Sequence, residues 1–275
     1  MKITVRGIPV HYVEEGEGRP VLVLHGLPSH HRAVSDAIEP VFADRPGWCR
    51  IYPDLPGMGL TPAGDWISSH QDMVDVVLGF ADAVIPGQRF AIMGSSYGGY
   101  LALGVIRARP SQLNGVALLT PASGRPSNRR DLPPHVVFEE DPEAVASVGP
   151  DEQLWLQVAV VQTAEALARF RTSIKPGFEA ADMPFLDRLE ASDPGGFDAA
   201  DLPARITAPT LLLAGRQDSI VGYAEMLSLL ETFPRATLAV LDRAGHALAG
   251  EQRALFHALV GEWLDRVEET IPSGS

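Results

Sequence analysis

Cysteine is almost absent from this chain. Cys49 stands alone, so no internal disulfide can form and the fold must hold without one. Its neighbours are apolar, which predicts a small buried core residue. Long apolar runs are missing too: none nears the roughly 20 residues that span a bilayer. Positive charge is scarce, with 22 Lys and Arg against 35 Asp and Glu and a formal net charge of −13. Such a surface repels nucleic acid and anionic membranes and favours solubility, so neither is expected as a partner. There is no repeat and no basic patch. Met1 to Gly7 alternates like a strand and lacks the apolar stretch of a signal peptide, so a cytoplasmic location is expected. Thr270 to Ser275 is polar and reads as a frayed tail.

The 275 residues, 45% hydrophobic and 21% charged, suit one medium soluble domain, or a core with an insertion. Two alternating segments, Ile3–Arg6 and Val10–Glu14, flank Gly7 and Pro9 and predict a hairpin. Short, nearly continuous apolar runs follow at 21–24, 49–52, 90–93, 116–119, 210–213 and 238–241. A strand covered by helices on both faces loses polar alternation, so these predict buried strands. Helical patterns near 70–84, 97–109, 220–232 and 251–268 separate most of them. The expected fold class is α/β: a mostly parallel, helix-flanked sheet with right-handed crossovers. The alternation lapses between about Pro121 and Pro203. Pro126, Asp131, Pro133 and Pro134 open this stretch. Then Leu154, Val158, Val161, Ala164, Leu167, Phe170 and Ile174 recur every three or four residues, as on one face of a long helix. The expected organisation is a core of residues 1–124 and 204–275 with a helical cap at 125–203.

Gly94-Ser95-Ser96-Tyr97-Gly98 directly follows the run at 90–93 and precedes a helical pattern that Pro110 ends. A Gly-x-Ser-x-Gly between strand and helix places its serine on a tight, strained turn, where neighbours two residues away must lack bulk. Ser95 is a rival, but the glycines centre the motif on Ser96. A serine hydroxyl needs an adjacent base to attack, and His246 lies on a small-residue loop after the run at 238–241. The base needs an orienting carboxylate. Asp218 follows the run at 210–213 and gives the order Ser, Asp, His; Asp242 competes from the histidine's own loop. Catalysis of acyl transfer also needs two N–H donors for an oxyanion. The backbone of Tyr97 and of Leu27, after Gly26, are the candidates. Gly26, Phe138 and Trp155 are expected to line the substrate pocket, with Phe170 and Phe185 as further apolar walls and Tyr97 and Tyr100 as possible ones. No metal and no organic cofactor is expected: adjacent His30 and His31 point apart and chelate poorly, and they read as loop residues near the site mouth.

Taken together, Leu24-His25-Gly26, Pro53-Asp54-Leu55-Pro56-Gly57-Met58-Gly59, Gly94 to Gly99, Gly215 to Asp218 and Ala244-Gly245-His246 resemble the α/β-hydrolase superfamily over nearly the whole chain. The resemblance implies the α/β-hydrolase fold with an eight-stranded, mostly parallel sheet, and a serine hydrolase chemistry. Haloalkane dehalogenases and epoxide hydrolases carry aspartate where this chain has Ser96. The hormone-sensitive-lipase group has further glycines after His-Gly. Enzymes that cleave carbon–carbon bonds in ring-fission products typically carry Gly-Pro-Gly where Leu27-Pro28-Ser29-His30 stands. Proline iminopeptidases carry Gly-Gly-Ser-Trp-Gly. The chain looks most like small bacterial esterases that include N-acyl-homoserine lactone lactonases. That implies a small ester or lactone as substrate, an acyl-enzyme intermediate, and a monomer or homodimer. A perhydrolase or amidase on the same three residues, or a low-turnover small-molecule receptor, are the alternatives.

Overall fold

The structure is a computed structural model in which residues 1–122, 130–192, 202 and 205–270 are described. The chain opens with a hairpin of β1 (Lys2–Val5) and β2 (Ile8–Glu15), then β3 (Arg19–Leu24), α1 (His31–Phe42), β4 (Trp48–Pro53) and α2 (His70–Val84). β5 (Phe90–Ser95), α3 (Tyr97–Ala108) and β6 (Leu113–Leu119) follow. The next stretch holds β7 (Glu139–Glu140), α4 (Pro142–Ala146), α5 (Gln153–Val158), β8 (Val161–Gln162) and α6 (Ala164–Arg169), then a π-helical turn at Phe170–Ile174, α7 (Lys175–Glu179) and α8 (Met183–Ser192). The chain closes with β9 (Thr210–Gly215), a 3-10 helix at Ala224–Glu231, β10 (Ala236–Leu241), α9 (Leu248–Glu251) and α10 (Arg253–Glu269).

Eight strands form one sheet in the order β1-β2-β4-β3-β5-β6-β9-β10. The β1–β2 and β2–β4 pairs are antiparallel, and every pair from β4 to β10 is parallel. Two-sided burial explains the unbroken apolar runs. Leu22, Ile92, Leu118 and Leu212 face one core, with α2 and α3. Val21, Val23, Met93, Ala117 and Leu211 face the other, with α1 and α10. Alternate residues thus enter opposite cores, and neither face reaches solvent. The α2 helix starts on a reciprocal cap: the Ser69 hydroxyl accepts from the Asp72 N–H, and the Asp72 carboxylate accepts from the Ser69 N–H. After β4 the chain returns across β3 to place β5, so the strand order reverses at β3 and β5. Open α/β sheets bind ligands at the carboxyl ends of strands flanking such a reversal.

Three expectations need correction. The apolar repeat from Leu154 to Ile174 is not one long helix. Ala159 leaves helical geometry at φ −70°, ψ 125°, a short β7–β8 pair forms, and the Thr163 hydroxyl caps a new helix by accepting from the Ala166 N–H. Its short helices share one apolar side and build a small core of Ala144, Trp155, Ala159, Leu167 and Phe170. The pattern near 220–232 is a shorter 3-10 helix. His31 opens a helix that no expectation assigned, α1, which buries Val34, Ile38 and Phe42. Both cap boundaries expected from the sequence, 124/125 and 203/204, lie outside the described residues, as do Pro126 and the tail beyond Thr270. Among the described residues, no helix is long and apolar enough to cross a membrane.

Candidate active site

The turn between β5 and α3 has room for glycine alone at two places. A Cβ on Gly94 would lie 2.3 Å from the Gly98 carbonyl oxygen, and one on Gly98 would lie 2.3 Å from the Leu24 carbonyl oxygen. Real Cβ atoms do not approach so closely, so the glycines let β5, β3 and α3 converge. Ser96 sits at the helix N-cap with φ 52° and ψ −118°, a strained conformation for a non-glycine residue. Its N–H donates to the Leu119 carbonyl at 2.9 Å, and its carbonyl accepts from Tyr100 and Ala122. Those bonds hold the strain and leave the hydroxyl over the sheet edge.

The Ser96 hydroxyl lies 3.0 Å from His246 Nε2, and His246 Nδ1 lies 2.9 Å from Asp218 Oδ2. The second Asp218 oxygen, Oδ1, accepts from the backbone N–H groups of Ile220 at 2.9 Å and Val221 at 3.0 Å. Three segments far apart in sequence therefore meet, each at the carboxyl end of a parallel strand. Gly215 allows the approach, since a Cβ there would lie 2.2 Å from the Gly245 carbonyl oxygen. Burial opposes ionisation of Asp218, but the His246 imidazole and the two backbone donors hold its pKa below the ordinary value. Burial likewise opposes protonation of His246, yet Asp218 raises its pKa above the ordinary histidine value. Asp242, the rival carboxylate, is exposed.

Gly26 packs against the serine: a Cβ there would sit 3.3 Å from Ser96 Cβ. The neighbouring His25 is fully buried. The Leu55 N–H donates to its Nε2 at 3.0 Å, so Nδ1 carries the proton and donates to the Gly26 carbonyl at 2.7 Å. Burial pushes the His25 pKa down to about 4, keeping the ring neutral and in that tautomer. Next to Ser96 opens a cavity of about 350 Å³ with mostly apolar walls, among them Leu27, Trp155, Val158, Phe170 and Phe256. It runs between α1 and the short helices 153–178, which form a cap over it.

Gly26, Leu27 and Trp155 line this cavity, as does Phe170. Phe138 does not: it is 45% exposed, and its N–H donates to the Val160 carbonyl. Phe185 lies in the main core instead, where a Cβ on Gly57 would strike its ring. The side chains of Tyr97 and Tyr100 also turn away from the cavity and pack on His70, whose Nδ1 lies 2.9 Å from the Tyr97 hydroxyl. His30 stays in the loop before α1, as expected, but is buried beneath the cap with Nε2 3.0 Å from the Ser173 carbonyl oxygen, and His31 is instead the first residue of α1.

A second polar cluster escaped sequence reasoning. Asp54, fully buried, receives four bonds: Oδ1 accepts from the His31 backbone at 2.8 Å and lies 2.9 Å from His31 Nδ1. Oδ2 lies 2.8 Å from His11 Nδ1 and accepts from the Leu60 N–H at 3.0 Å. Burial opposes ionisation, but the His31 ring and the backbone donors hold the Asp54 pKa well below the carboxylate range. Gly59, at φ 56°, lets the loop wrap this carboxylate, since a Cβ would fall 2.4 Å from it. The His11, His31 and Asp54 donor atoms lie within 4.8 Å of one another, the spacing of a metal group. Both ring nitrogens and both carboxylate oxygens are already engaged in hydrogen bonds, so the set acts as a clamp joining β2, α1 and the loop after β4.

This geometry can now be set beside known proteins. Residues 21–259 match the family model described as "Alpha/beta hydrolase family". The chain is 27% identical over 271 residues to a 2-hydroxy-6-oxononadienedioate/2-hydroxy-6-oxononatrienedioate hydrolase of Burkholderia vietnamiensis, covering 94% of this chain and 91% of that protein. It is 24% identical over 255 residues to a pimeloyl-[acyl-carrier protein] methyl ester esterase of Legionella pneumophila, covering 93% and 99%. Among solved structures, an alpha/beta superfamily hydrolase from Oenococcus oeni PSU-1 superposes with a TM-score of 0.86 at 26% identity, covering 98% and 99%. The chain belongs to the alpha/beta hydrolase family.

Proposed function

We propose that this protein hydrolyses a carboxylic ester or lactone through Ser96, His246 and Asp218, by way of an acyl-enzyme. The observation that carries this reading is the unbroken chain from the Ser96 hydroxyl through the imidazole to a buried carboxylate, at 3.0 and 2.9 Å. His246 Nε2 takes the hydroxyl proton as Ser96 Oγ attacks the substrate carbonyl. Asp218 holds the Nδ1–H tautomer and stabilises the imidazolium. The backbone N–H groups of Leu27 and Tyr97 receive the oxyanion, a pair of donors each worth roughly 3–4 kcal/mol of barrier. Support for Leu27 comes from the Gly26 contact with Ser96, and for Tyr97 from its place at the helix N-terminus. His246 then returns the proton to the leaving alkoxide; water, deprotonated by the same imidazole, attacks the acyl carbon, and the imidazolium gives that proton back to Ser96 Oγ as the acid leaves. The mostly apolar cavity beside Ser96 suits a hydrocarbon acyl chain. No step draws on a metal or an organic cofactor.

The Burkholderia relative is named as a hydrolase of an oxononadienedioate or oxononatrienedioate, and hydrolysis of such a dienoic acid is the second reading. Against it stands Leu27-Pro28-Ser29-His30 in place of Gly-Pro-Gly. The test is a panel of p-nitrophenyl esters, N-acyl-homoserine lactones, an amide and a dienoic ring-fission product, run on wild type and Ser96→Ala. Ester or lactone turnover lost in Ser96→Ala, with an unchanged thermal midpoint, is the expected result. Full activity in that variant removes Ser96 from the chemistry, and turnover of the ring-fission product alone replaces the ester assignment.

A further inference from the structure

The histidine loop is tied to the cap by one carboxylate. Glu251, the last residue of α9, accepts from the Val160 N–H through Oε1 at 2.7 Å and from the Gly245 N–H through Oε2 at 2.7 Å. Val160 lies in the cap between α5 and β8, and Gly245 immediately precedes His246. The cap therefore bonds one oxygen and the histidine loop the other, with the Val161 N–H as a further backbone donor. The two parts also touch closely: a Cβ on Gly245 would fall 2.7 Å from Val160 Cγ2. Arg169 of α6 reinforces the seat by donating to the Gly250 carbonyl at 2.7 Å. Glu251 and Arg169 both line the cavity beside Ser96.

From this geometry we infer that Glu251 is a positioning residue, which locks the His246 loop against the cap and so holds the base in place. The inference rests on Ser96, His246 and Asp218 being the catalytic residues. A glutamine could not replace the carboxylate, because its amide nitrogen would face one of these N–H donors. Charge matters as well as shape. Burial raises the Glu251 pKa, partly against its backbone donors, and the negative Asp218 adds to the rise. Once ionised, Glu251 favours the protonated form of His246. The other charged groups around this seat are Asp218 and His246 on the sheet-edge loops, Arg130, Arg169 on α6, Arg253 on α10 and Asp36 on α1.

The test measures kcat/KM for a p-nitrophenyl ester from pH 5 to pH 9 in wild type, Glu251→Gln, Glu251→Asp and Ser96→Ala, with thermal melts of each. Glu251→Gln is expected to lose about tenfold or more at the plateau, since small displacements of a base are costly. Its acid limb should move to lower pH, because a charge that favours imidazolium is gone. Glu251→Asp keeps the charge, so its limb should stay at the wild-type position while its shorter side chain leaves the plateau only partly restored. A folded Glu251→Gln with a wild-type profile overturns the inference, and so does a plateau loss with an unmoved limb, the mark of a purely structural contact. If Glu251→Gln gives no cooperative melt, Glu251→Asp decides: a reduced plateau at the wild-type limb supports the inference, and wild-type kinetics overturn it. Hydrolysis surviving in Ser96→Ala defeats the catalytic reading and this inference with it. An inactive Ser96→Ala beside an unaffected Glu251→Gln defeats this inference alone.

Discussion

Changing Asp218 to Asn removes one charge and almost no volume, and the geometry dictates how the amide must sit. Oδ1 of Asp218 accepts from two backbone N–H groups, at 2.9 and 3.0 Å, while Oδ2 alone meets His246. An asparagine has one acceptor oxygen. Two donors outbid one, so the carbonyl oxygen goes to Ile220 and Val221 and the NH2 group faces His246 Nδ1. That nitrogen must then accept, which moves the ring proton to Nε2 and points an N–H at the Ser96 hydroxyl. The base is lost without any change of shape. The expected fall in kcat is about 10⁴-fold, the size seen when a catalytic histidine is held in the wrong tautomer, or ~5.5 kcal/mol of barrier. The fold should lose only about 1–3 kcal/mol, the range for a weakened buried hydrogen-bonded group. Steady-state hydrolysis of a p-nitrophenyl ester, with circular-dichroism melts of the same preparations, measures both. A folded Asp218→Asn variant within tenfold of wild type would refute the tautomer argument. Asp242→Asn, altering the exposed rival, should leave the rate unchanged.

For the wild type, kcat/KM should rise with pH through an apparent pKa above 6.5, because His246 must be neutral to act and Asp218 raises its pKa against burial; a limb midpoint below 6.5 in a pH–rate profile contradicts this. Trp155→Ala opens the cap wall beside the cavity and truncates a side chain only 6% exposed. It should cost roughly 3–5 kcal/mol and raise KM for a hexanoate or octanoate ester more than for acetate, read by urea titration and a chain-length series. Asp54→Ala strands the donors of His11, His31 and Leu60, with an expected loss of about 3–5 kcal/mol; a urea midpoint equal to wild type would show that the clamp carries no stability. EDTA should leave ester hydrolysis unchanged, and activity lost to chelation then restored by zinc would contradict a metal-free mechanism.

Legibility in the sequence followed how local the cause was. Each strand of the parallel sheet could be read because its signal is complete within six residues: Leu211 to Ala214 is apolar throughout since both faces are buried. The turn at Ser96 was equally local, as its glycines lie two residues either side. The α1 helix carried a usable signal, Val34, Ile38 and Phe42 at four-residue spacing, but its first residue, His31, was read together with His30 as part of a loop. The cap was misread for a different reason. Apolar residues recurring every three or four positions report which side faces inward, and several short helices lying over one cavity repeat that side as faithfully as one long helix does.

One break between those short helices involves a group that no local window contains, and so does the cluster around Asp54. Val160 is drawn out of helical pairing by a carboxylate 91 residues later, and Asp54 gathers histidines 43 and 23 residues before it. Phe138 illustrates the same limit on the site itself: an aromatic residue in a cap is apolar whether it faces the cavity or the solvent, and only the folded chain shows Phe138 exposed and off the cavity wall. The residues of the proposed chemistry could therefore be named along the chain. The groups that fix their orientation, Glu251 behind His246 and His25 behind Gly26, became visible only once distant segments were in contact. In the proposed mechanism those groups set how firmly His246 and the Gly26–Leu27 loop are held beside Ser96.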